Sequence, residues 1–421
     1  MALWLYSALW YALTPLLFVR LWWRGRRAPA YRGRWRERLA RGLGQRSRRS
    51  VWIHAVSVGE TLAAAPMIRV LLERHPQTPL VVTTTTPTGS DQVRALFGDR
   101  VHHVYCPWDT PSAMGRFMDA FDPQLILILE TELWPNLAAV AAKRGIPLWL
   151  VNGRLSARSA RGYGRVSALV RPMLQCFTGL MVQTAVEAER FAALGARPEQ
   201  LQVTGSVKFD IDLGTARQQA AAALRAEIGA RPVWLAASTH PGEDAPILAA
   251  HQQLRQTQPQ ALLILVPRHP ERFDEVAGQV RDSGLTLARR SQQQAIIADT
   301  AVYLGDTMGE LLMLVGAAAV TLVAGSLVPR GGHNLLEPAA WGQPVLSGPH
   351  RFNFEHIAAL LEQAGALKTV TDADSLAATL VELFNCPALR EALGAAAQAV
   401  VAEHAGALER VLETVERDWP R

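Results

Sequence analysis

From Val51 onward the chain alternates short apolar or β-branched runs with longer segments rich in Ala, Leu and Arg, the pattern of parallel strands joined by crossover helices. The runs predict strands over 51–55, 80–84, 101–105, 125–129, 148–151, 180–182 and 202–204, and a second series over 233–237, 262–266, 286–288, 302–304, 318–322 and 344–346. Between the two series, 209–217 is polar and leads into an Ala-rich helix over 218–228, which puts a hinge there. At 421 residues and 49% apolar content the chain exceeds one ordinary core. The expected architecture is therefore α/β, with two Rossmann-like doubly wound domains over 28–213 and 214–421, facing one another across a cleft at the carboxyl ends of their sheets. A helical segment over 387–417 is expected to cross back to the first domain.

The charge is concentrated at one end. Residues 1–50 hold twelve arginines and a single acid, Glu37, so the basic balance of the whole chain belongs to this stretch. Residues 2–19 carry no charge and are followed at once by Arg20, Trp22, Trp23, Arg24, Arg26 and Arg27. Eighteen helical residues reach about 27 Å, close to a bilayer core. A cleaved signal would carry its cations before the apolar run and small residues after it; here the order is reversed and the tryptophans form an interfacial belt. Residues 1–27 are thus expected to be a retained membrane anchor, spanning or, with Pro15 inside it, lying in one leaflet. The positive-inside rule puts the remaining chain in the cytoplasm and the arginines against anionic lipid. An arginine cluster also suits nucleic acid, but its place beside an apolar helix favours lipid. Cys106, Cys176 and Cys386 are too far apart for a disulfide framework or a zinc site, which fits a reducing compartment.

In the first half, Trp52-Ile-His-Ala-Val-Ser57-Val-Gly-Glu60 runs from a strand into a helix whose first turn holds Glu60. A carboxylate at that positive end is a candidate proton acceptor for an attacking hydroxyl, and equally a first-turn acid that stabilises its own helix. Glu130-Thr-Glu132-Leu-Trp-Pro-Asn136 delivers two carboxylates at the end of a buried strand. Arg154, with Arg158, Arg161 and Arg165 beyond it, offers forked donors to phosphates from a segment without neighbouring acids, or simply a solvated basic face. Lys208, in Gly205-Ser-Val-Lys-Phe-Asp210, is placed to neutralise a phosphate at the hinge.

In the second half, His240 and Arg268 end strands in Pro-rich loops, where they can face a nucleotide. The densest signal is Ala324-Gly325-Ser326-Leu-Val-Pro-Arg330-Gly331-Gly332-His-Asn334-Leu-Leu-Glu337. Its glycines predict backbone N–H groups around a phosphate, with the next helix supplying its positive end. Asn334 and Glu337, three apart, share a helix face where the carboxylate suits ribose hydroxyls. Gly305-Asp-Thr-Met308-Gly309-Glu310 is expected to form another wall of that pocket. Neither GxxxxGK[ST] nor a strand-linked GxGxxG is present, which disfavours an ATPase or a nicotinamide enzyme.

Taken together, Arg34-Trp-Arg-Glu-Arg-Leu39, His54-Ala-Val-Ser-Val-Gly-Glu60, Glu130-Thr-Glu-Leu-Trp-Pro-Asn136, Gly205-Ser-Val-Lys208-Phe-Asp210, Pro267-Arg268-His-Pro-Glu-Arg272 and Gly331-Gly-His-Asn334-Leu-Leu-Glu337-Pro338 resemble the 3-deoxy-D-manno-octulosonic acid (Kdo) transferases, over essentially the whole chain. The resemblance implies a GT-B fold and inverting transfer of Kdo from CMP-Kdo to the phosphorylated glucosamine disaccharide precursor of lipid A, without a metal or other cofactor. It implies Glu60 as general base, Lys208 as a phosphate ligand, Arg268 as a cytosine contact, and Asn334 with Glu337 as nucleotide contacts. Donor contacts are accordingly expected from Lys208, His240, Arg268, Gly305, Met308, Gly309, Gly325, Ser326, Gly331, Gly332, Asn334 and Glu337, and acceptor contacts from Ser57, Glu130, Glu132 and Arg154. Ser206 departs from the family, where asparagine is common. Other GT-B enzymes, such as a lipid A disaccharide synthase or a nucleotide-sugar epimerase, and a tethered binding scaffold without catalysis are the competing readings; the anchor and Glu60 speak against them.

Overall fold

A computed structural model describes residues 1–44 and 49–420, so Arg46 and Arg48 of the arginine-rich first fifty residues lie outside the described residues. The chain divides into two compact units, Met1–Lys208 with Ala405–Arg421, and Phe209–His404.

Unit 1 runs α1 (Ala2–Arg24), β1 (Ser50–His54), α2 (Val58–Arg74), β2 (Leu80–Thr84), α3 (Pro87–Phe97), β3 (His102–Tyr105), α4 (Pro111–Phe121), β4 (Pro123–Leu129), α5 (Pro135–Lys143), β5 (Leu148–Gly153), α6 (Ala157–Gly164), α7 (Ser167–Gln175), β6 (Gly179–Val182), α8 (Ala185–Ala193) and β7 (Leu201–Val203). Its sheet has the order β3-β2-β1-β4-β5-β6-β7, and every pairing is parallel. Helices cover both faces of such a sheet, which is why β1, β2 and β5 are buried throughout and read as unbroken apolar runs. Helix starts are marked chemically: Ser57, Thr86, Thr110, Ser156 and Thr184 each accept an N–H of the first turn, and α3, α4 and α5 open on proline. Trp52, Phe117, Phe121 and Ile126 pack on one face of the sheet. Val51, Ile53, Leu125 and Leu127 pack on the other with Ile68, Leu71 and the apolar face of the C-terminal helix, Ala407–Arg417.

Unit 2 holds β8 (Val233–Thr239), β9 (Leu262–Pro267), β10 (Leu287–Arg289), β11 (Val302–Leu304), β12 (Val320–Val323), β13 (Val345–Ser347) and β14 (Leu367–Thr369), in the parallel order β10-β11-β9-β8-β12-β13-β14. The edge strand β14 was not expected, because Leu-Lys-Thr is too short and polar to register as a buried run.

Two boundaries differ from those expected. The division falls at Lys208/Phe209 rather than 213/214, and residues from Ala405 belong to unit 1. Of the expected crossing segment, Pro387–His404 stays in unit 2; only the last helix packs in unit 1, because Val411, Leu412 and Val415 complete that core at no more than 1% exposure. Truncating Leu412 to Ala is therefore expected to cost unit 1 about 3 kcal/mol. Native-state hydrogen exchange should register the loss at the amides of β1 and β4 and leave β8 and β9 unchanged.

The first helix lies lengthwise on unit 1. Its Ser7 hydroxyl donates to Asn136 Oδ1 at 2.8 Å, Trp10 packs 6.0 Å from Trp134, and Phe18 packs 4.7 Å from Trp108. Trp4, Leu5, Leu9, Leu16, Val19 and Trp23 on its other faces are exposed.

Candidate active site

In a doubly wound sheet the crevice opens where neighbouring strands lead their connections to opposite sides. In unit 1 that point lies between β1 and β4, and it gathers the two acidic motifs. Ser57 caps α2, and Glu60 reaches back from the first turn: its Oε2 accepts the Val56 N–H at 2.7 Å and its Oε1 accepts the Ser57 hydroxyl at 3.2 Å. Glu60 thus braces the start of its own helix, with its carboxylate on the Val56 N–H and the Ser57 hydroxyl and its own N–H on the Ser57 side chain. Burial pushes its carboxyl up to about 7, the Val56 N–H opposes this, and the carboxylates of Glu132 and Glu130 push it further up.

Glu130 follows β4 with φ +57°, a left-handed conformation that a side chain of this size adopts only when its surroundings impose it. Its Oε1 lies 2.8 Å from Lys208 Nζ, so the hinge lysine is held by an acid of its own unit. Glu132 accepts the Trp134 indole N–H at 2.9 Å, and burial raises its carboxyl. One strand further on, buried Asn152 has φ +56°; its Oδ1 accepts the Val207 N–H at 3.2 Å and its Nδ2 has no partner. Arg154 lies beside these groups through its backbone, its carbonyl accepting the Thr131 hydroxyl. Its guanidinium is exposed, as are those of Arg158, Arg161 and Arg165, and residues 133–186 contain no acid to neutralise them.

The corresponding point of unit 2 lies between β8 and β12 and joins the loops after those strands and β9. His240 Nε2 and His333 Nε2 are 2.9 Å apart with their rings stacked, and His269 stands edge-on to His240 at 5.5 Å. Burial, and then the positive neighbours, pull His333 down to about 4 and lower His240 as well, and the facing nitrogens are within hydrogen-bond distance of each other. Asn334 Nδ2 donates to Glu337 Oε1 at 3.3 Å; burial raises the Glu337 carboxyl, while Asn334 and the charge of Arg268 hold it back. His240, Arg268, Asn334 and Glu337 thus lie near one another, but Asn334 precedes the helix Leu336–Ala340, its Oδ1 accepting the Leu336 N–H, and so does not share a helix face with Glu337 as expected.

The glycine loop works differently from the expected backbone cradle. The N–H groups of Gly325, Ser326 and Leu327 all donate to the fully buried carboxylate of Glu243, at 2.7, 3.1 and 3.0 Å, and Gly332 N–H donates to Gly325 O. These donors are already engaged. Gly331 is required by its backbone, which takes φ +95°, a conformation that L side chains rarely adopt. The helix that follows, Leu336–Ala340, is only five residues long and supplies little dipole. Gly305 spends its N–H on Leu265 O and its missing Cβ on contact with Leu314 and Val266. Met308 is 62% exposed and Gly309 turns the chain at φ +83°. Their neighbours Thr307 and Glu310 line a separate pocket of about 380 Å3 with Arg290 and Tyr303.

Sequence reasoning passed over Glu243 and His333. Each had a signal: Glu243 stands three residues after His240 at a helix start, and His333 interrupts the double glycine and Asn334. Among the described residues, no group of three His, Cys, Asp or Glu side chains is arranged to hold a metal ion.

The family described as 3-deoxy-D-manno-octulosonic-acid transferase (kdotransferase) matches residues 33–211. A 3-deoxy-D-manno-octulosonic acid transferase of Haemophilus influenzae is 42% identical over 388 residues, 90% of this chain and 91% of its own. One from Bordetella pertussis is 39% identical over 97% of each chain. Among solved structures, a putative UDP-N-acetylglucosamine 2-epimerase from Listeria monocytogenes covers 88% of this chain and 96% of its own, with a TM-score of 0.55 at 15% identity, a likeness of fold alone.

Proposed function

The chain belongs to the 3-deoxy-D-manno-octulosonic acid transferase family, and on that premise we propose that it moves Kdo from CMP-Kdo to the glucosamine disaccharide precursor of lipid A by a single inverting displacement with Glu60 as general base. It is a Kdo glycosyltransferase of lipopolysaccharide biosynthesis with a GT-B type fold. The observation that carries the mechanism is the half-buried carboxyl of Glu60, raised to about 7 and held by Val56 N–H and Ser57 at the switch point of the unit 1 sheet. A base with that acidity takes a proton from a hydroxyl near neutral pH while keeping useful driving force. The oxygen attacks the anomeric carbon of Kdo, and CMP departs from the opposite face.

In this reading Lys208 is the cation for the CMP phosphate, with Glu130 as its counter-ion in the protein. Arg268, Asn334 and Glu337 hold the nucleotide, Glu337 taking the ribose hydroxyls. Ser57, Glu130, Glu132 and Arg154 face the acceptor sugars, and the uncompensated arginines of α6 suit its phosphates. Leaving CMP is stabilised by cationic and hydrogen-bonding groups, so no metal or cofactor is called on. The apolar first helix with its flanking arginines holds the enzyme at the cytoplasmic face of the inner membrane, against anionic lipid, and nucleic acid is not a partner.

Mass spectrometry of the products formed from CMP-Kdo and the lipid A precursor tests the reading. A Kdo-bearing product is expected, and a folded enzyme that makes none would overturn it. The pH profile follows from the raised carboxyl. Since the base must be ionised, log kcat/KM should climb with unit slope up to about pH 7 and then level off. A profile that is already flat at pH 5 would remove Glu60 from the proton transfer.

A further inference from the structure

The folded body of unit 1 flanks the first helix from end to end. Near its start, Met1, Leu3, Trp4 and Ala8 border a groove with Ala139, Val140 and Lys143. In the middle, Ser7, Trp10 and Tyr11 meet Asn136, Trp134 and Ser112. Near its end, Leu17, Leu21 and Arg24 share a pocket with Arg38, Thr85 and Trp108. A helix of 23 residues is about 35 Å long, so crossing a bilayer in this arrangement would carry the α4 and α5 side of an α/β sheet through the hydrocarbon. Asp109, Asp119, Lys143 and Arg144 would travel with it, each at a cost of several kcal/mol. A helix lying in the interface plane avoids this, since its exposed Leu5, Leu9, Leu16 and Val19 then enter the acyl region while the body stays in water.

We propose that the first helix is an in-plane anchor and that the groove beside it, between α1, α4 and α5, seats one acyl chain of an anionic membrane phospholipid. The inference rests on the membrane reading above and is independent of the sugar chemistry. The groove encloses about 920 Å3, and most of its lining is apolar. Its polar floor is satisfied internally, Ser7 donating to Asn136. It continues the exposed apolar face of the helix, so a chain in it remains in contact with the bilayer. The cation at its mouth selects the headgroup: Lys143 has no acidic partner among the described residues, whereas Arg144 is held by Asp119 at 2.8 Å. A phosphate on Lys143 with its chain running toward Asn136 pairs charge with charge and apolar surface with apolar surface.

Two measurements on the full chain test this. Spin labels at Leu5→Cys, Leu13→Cys and Val19→Cys, each with Cys386→Ser, are read for depth in phosphatidylcholine–phosphatidylglycerol vesicles. Equal depths within about 5 Å are expected, whereas a spanning helix separates positions 5 and 19 by about 21 Å and would overturn the in-plane anchor. Failure of all three to reach the vesicles would overturn the membrane reading itself. Native mass spectrometry of enzyme extracted in mild detergent should show one retained phospholipid. Ala8→Trp, on the exposed helix, and Ala139→Trp should each cut its occupancy at least tenfold, and Lys143→Glu should shift retention from anionic to zwitterionic lipid. Retention of a glycolipid instead, or occupancy untouched by either tryptophan, would overturn the groove assignment.

Discussion

Glu60→Gln should abolish catalysis and stabilise the protein in the same stroke. The amide is nearly isosteric and its oxygen still accepts the Val56 N–H, so the helix start survives, but no proton can be taken from the acceptor. A general base is worth 10²–10⁴ in rate, so kcat should fall by about a thousandfold while CMP binding changes by less than about threefold. The stability gain follows from linkage. A carboxyl raised by burial binds its proton more tightly in the folded state than in the unfolded one, so its favourable contribution is complete below the unfolded value near 4.3 and is lost as pH rises toward 7. At pH 8 the ionised Glu60 therefore costs the fold roughly 1–3 kcal/mol, which glutamine does not. Urea unfolding of unit 1 at pH 4 and pH 8 should show the variant level with the wild type at the lower pH and more stable at the higher. A variant that keeps more than a tenth of the wild-type rate would leave Glu60 as the N-terminal acid of α2 and nothing more.

The pattern of the chain made the parallel sheets legible because a strand covered on both faces leaves a continuous apolar run, as the central strands of unit 1 and unit 2 do. It also placed Glu130, Glu132, His240 and Arg268 after strand ends and Glu60 in the first turn of a helix. What it could not give was who satisfies whom. Gly325 and Ser326 suggest free backbone donors, and only the fold reveals that Glu243, some eighty residues earlier, takes them. Lys208 reads as a lone cation because Glu130, its partner, lies on a different strand end. The return of the C-terminal helix to unit 1 is similarly a matter of which core it completes, since its own amphipathic face suits any sheet. The positive φ of Glu130 and Ser238 at strand ends has no signature in side-chain type, unlike that of Asn152, whose residue type favours the left-handed region. Strain of this kind persists where surrounding contacts impose it, and here it marks the same rims as the candidate site.

Glu243 offers the second large effect, because it holds the unit 2 site together without needing to touch substrate. Its carboxylate is fully buried, has no arginine or lysine paired with it among the described residues, and accepts four backbone N–H groups, from His240, Gly325, Ser326 and Leu327. It also stands at the start of the 14-residue helix Asp244–Thr257. Glu243→Ala would leave those donors facing an empty buried space, and each orphaned group costs about 1–3 kcal/mol, partly recovered by relaxation of the loop. A loss of about 4 kcal/mol is expected for unit 2, visible as faster hydrogen exchange of the β8 and β12 amides, together with CMP affinity reduced by more than a hundredfold as His240, His333 and Asn334 lose their footing. Glu243→Gln separates the two roles. It keeps one accepting oxygen but turns an NH₂ group toward donors that need an acceptor, so about half of the stability loss should remain, and isothermal titration with CMP should find an intermediate affinity. If the alanine variant bound CMP as tightly as the wild type, the loop after β12 would be rigid without its carboxylate and the nucleotide would be held elsewhere in unit 2.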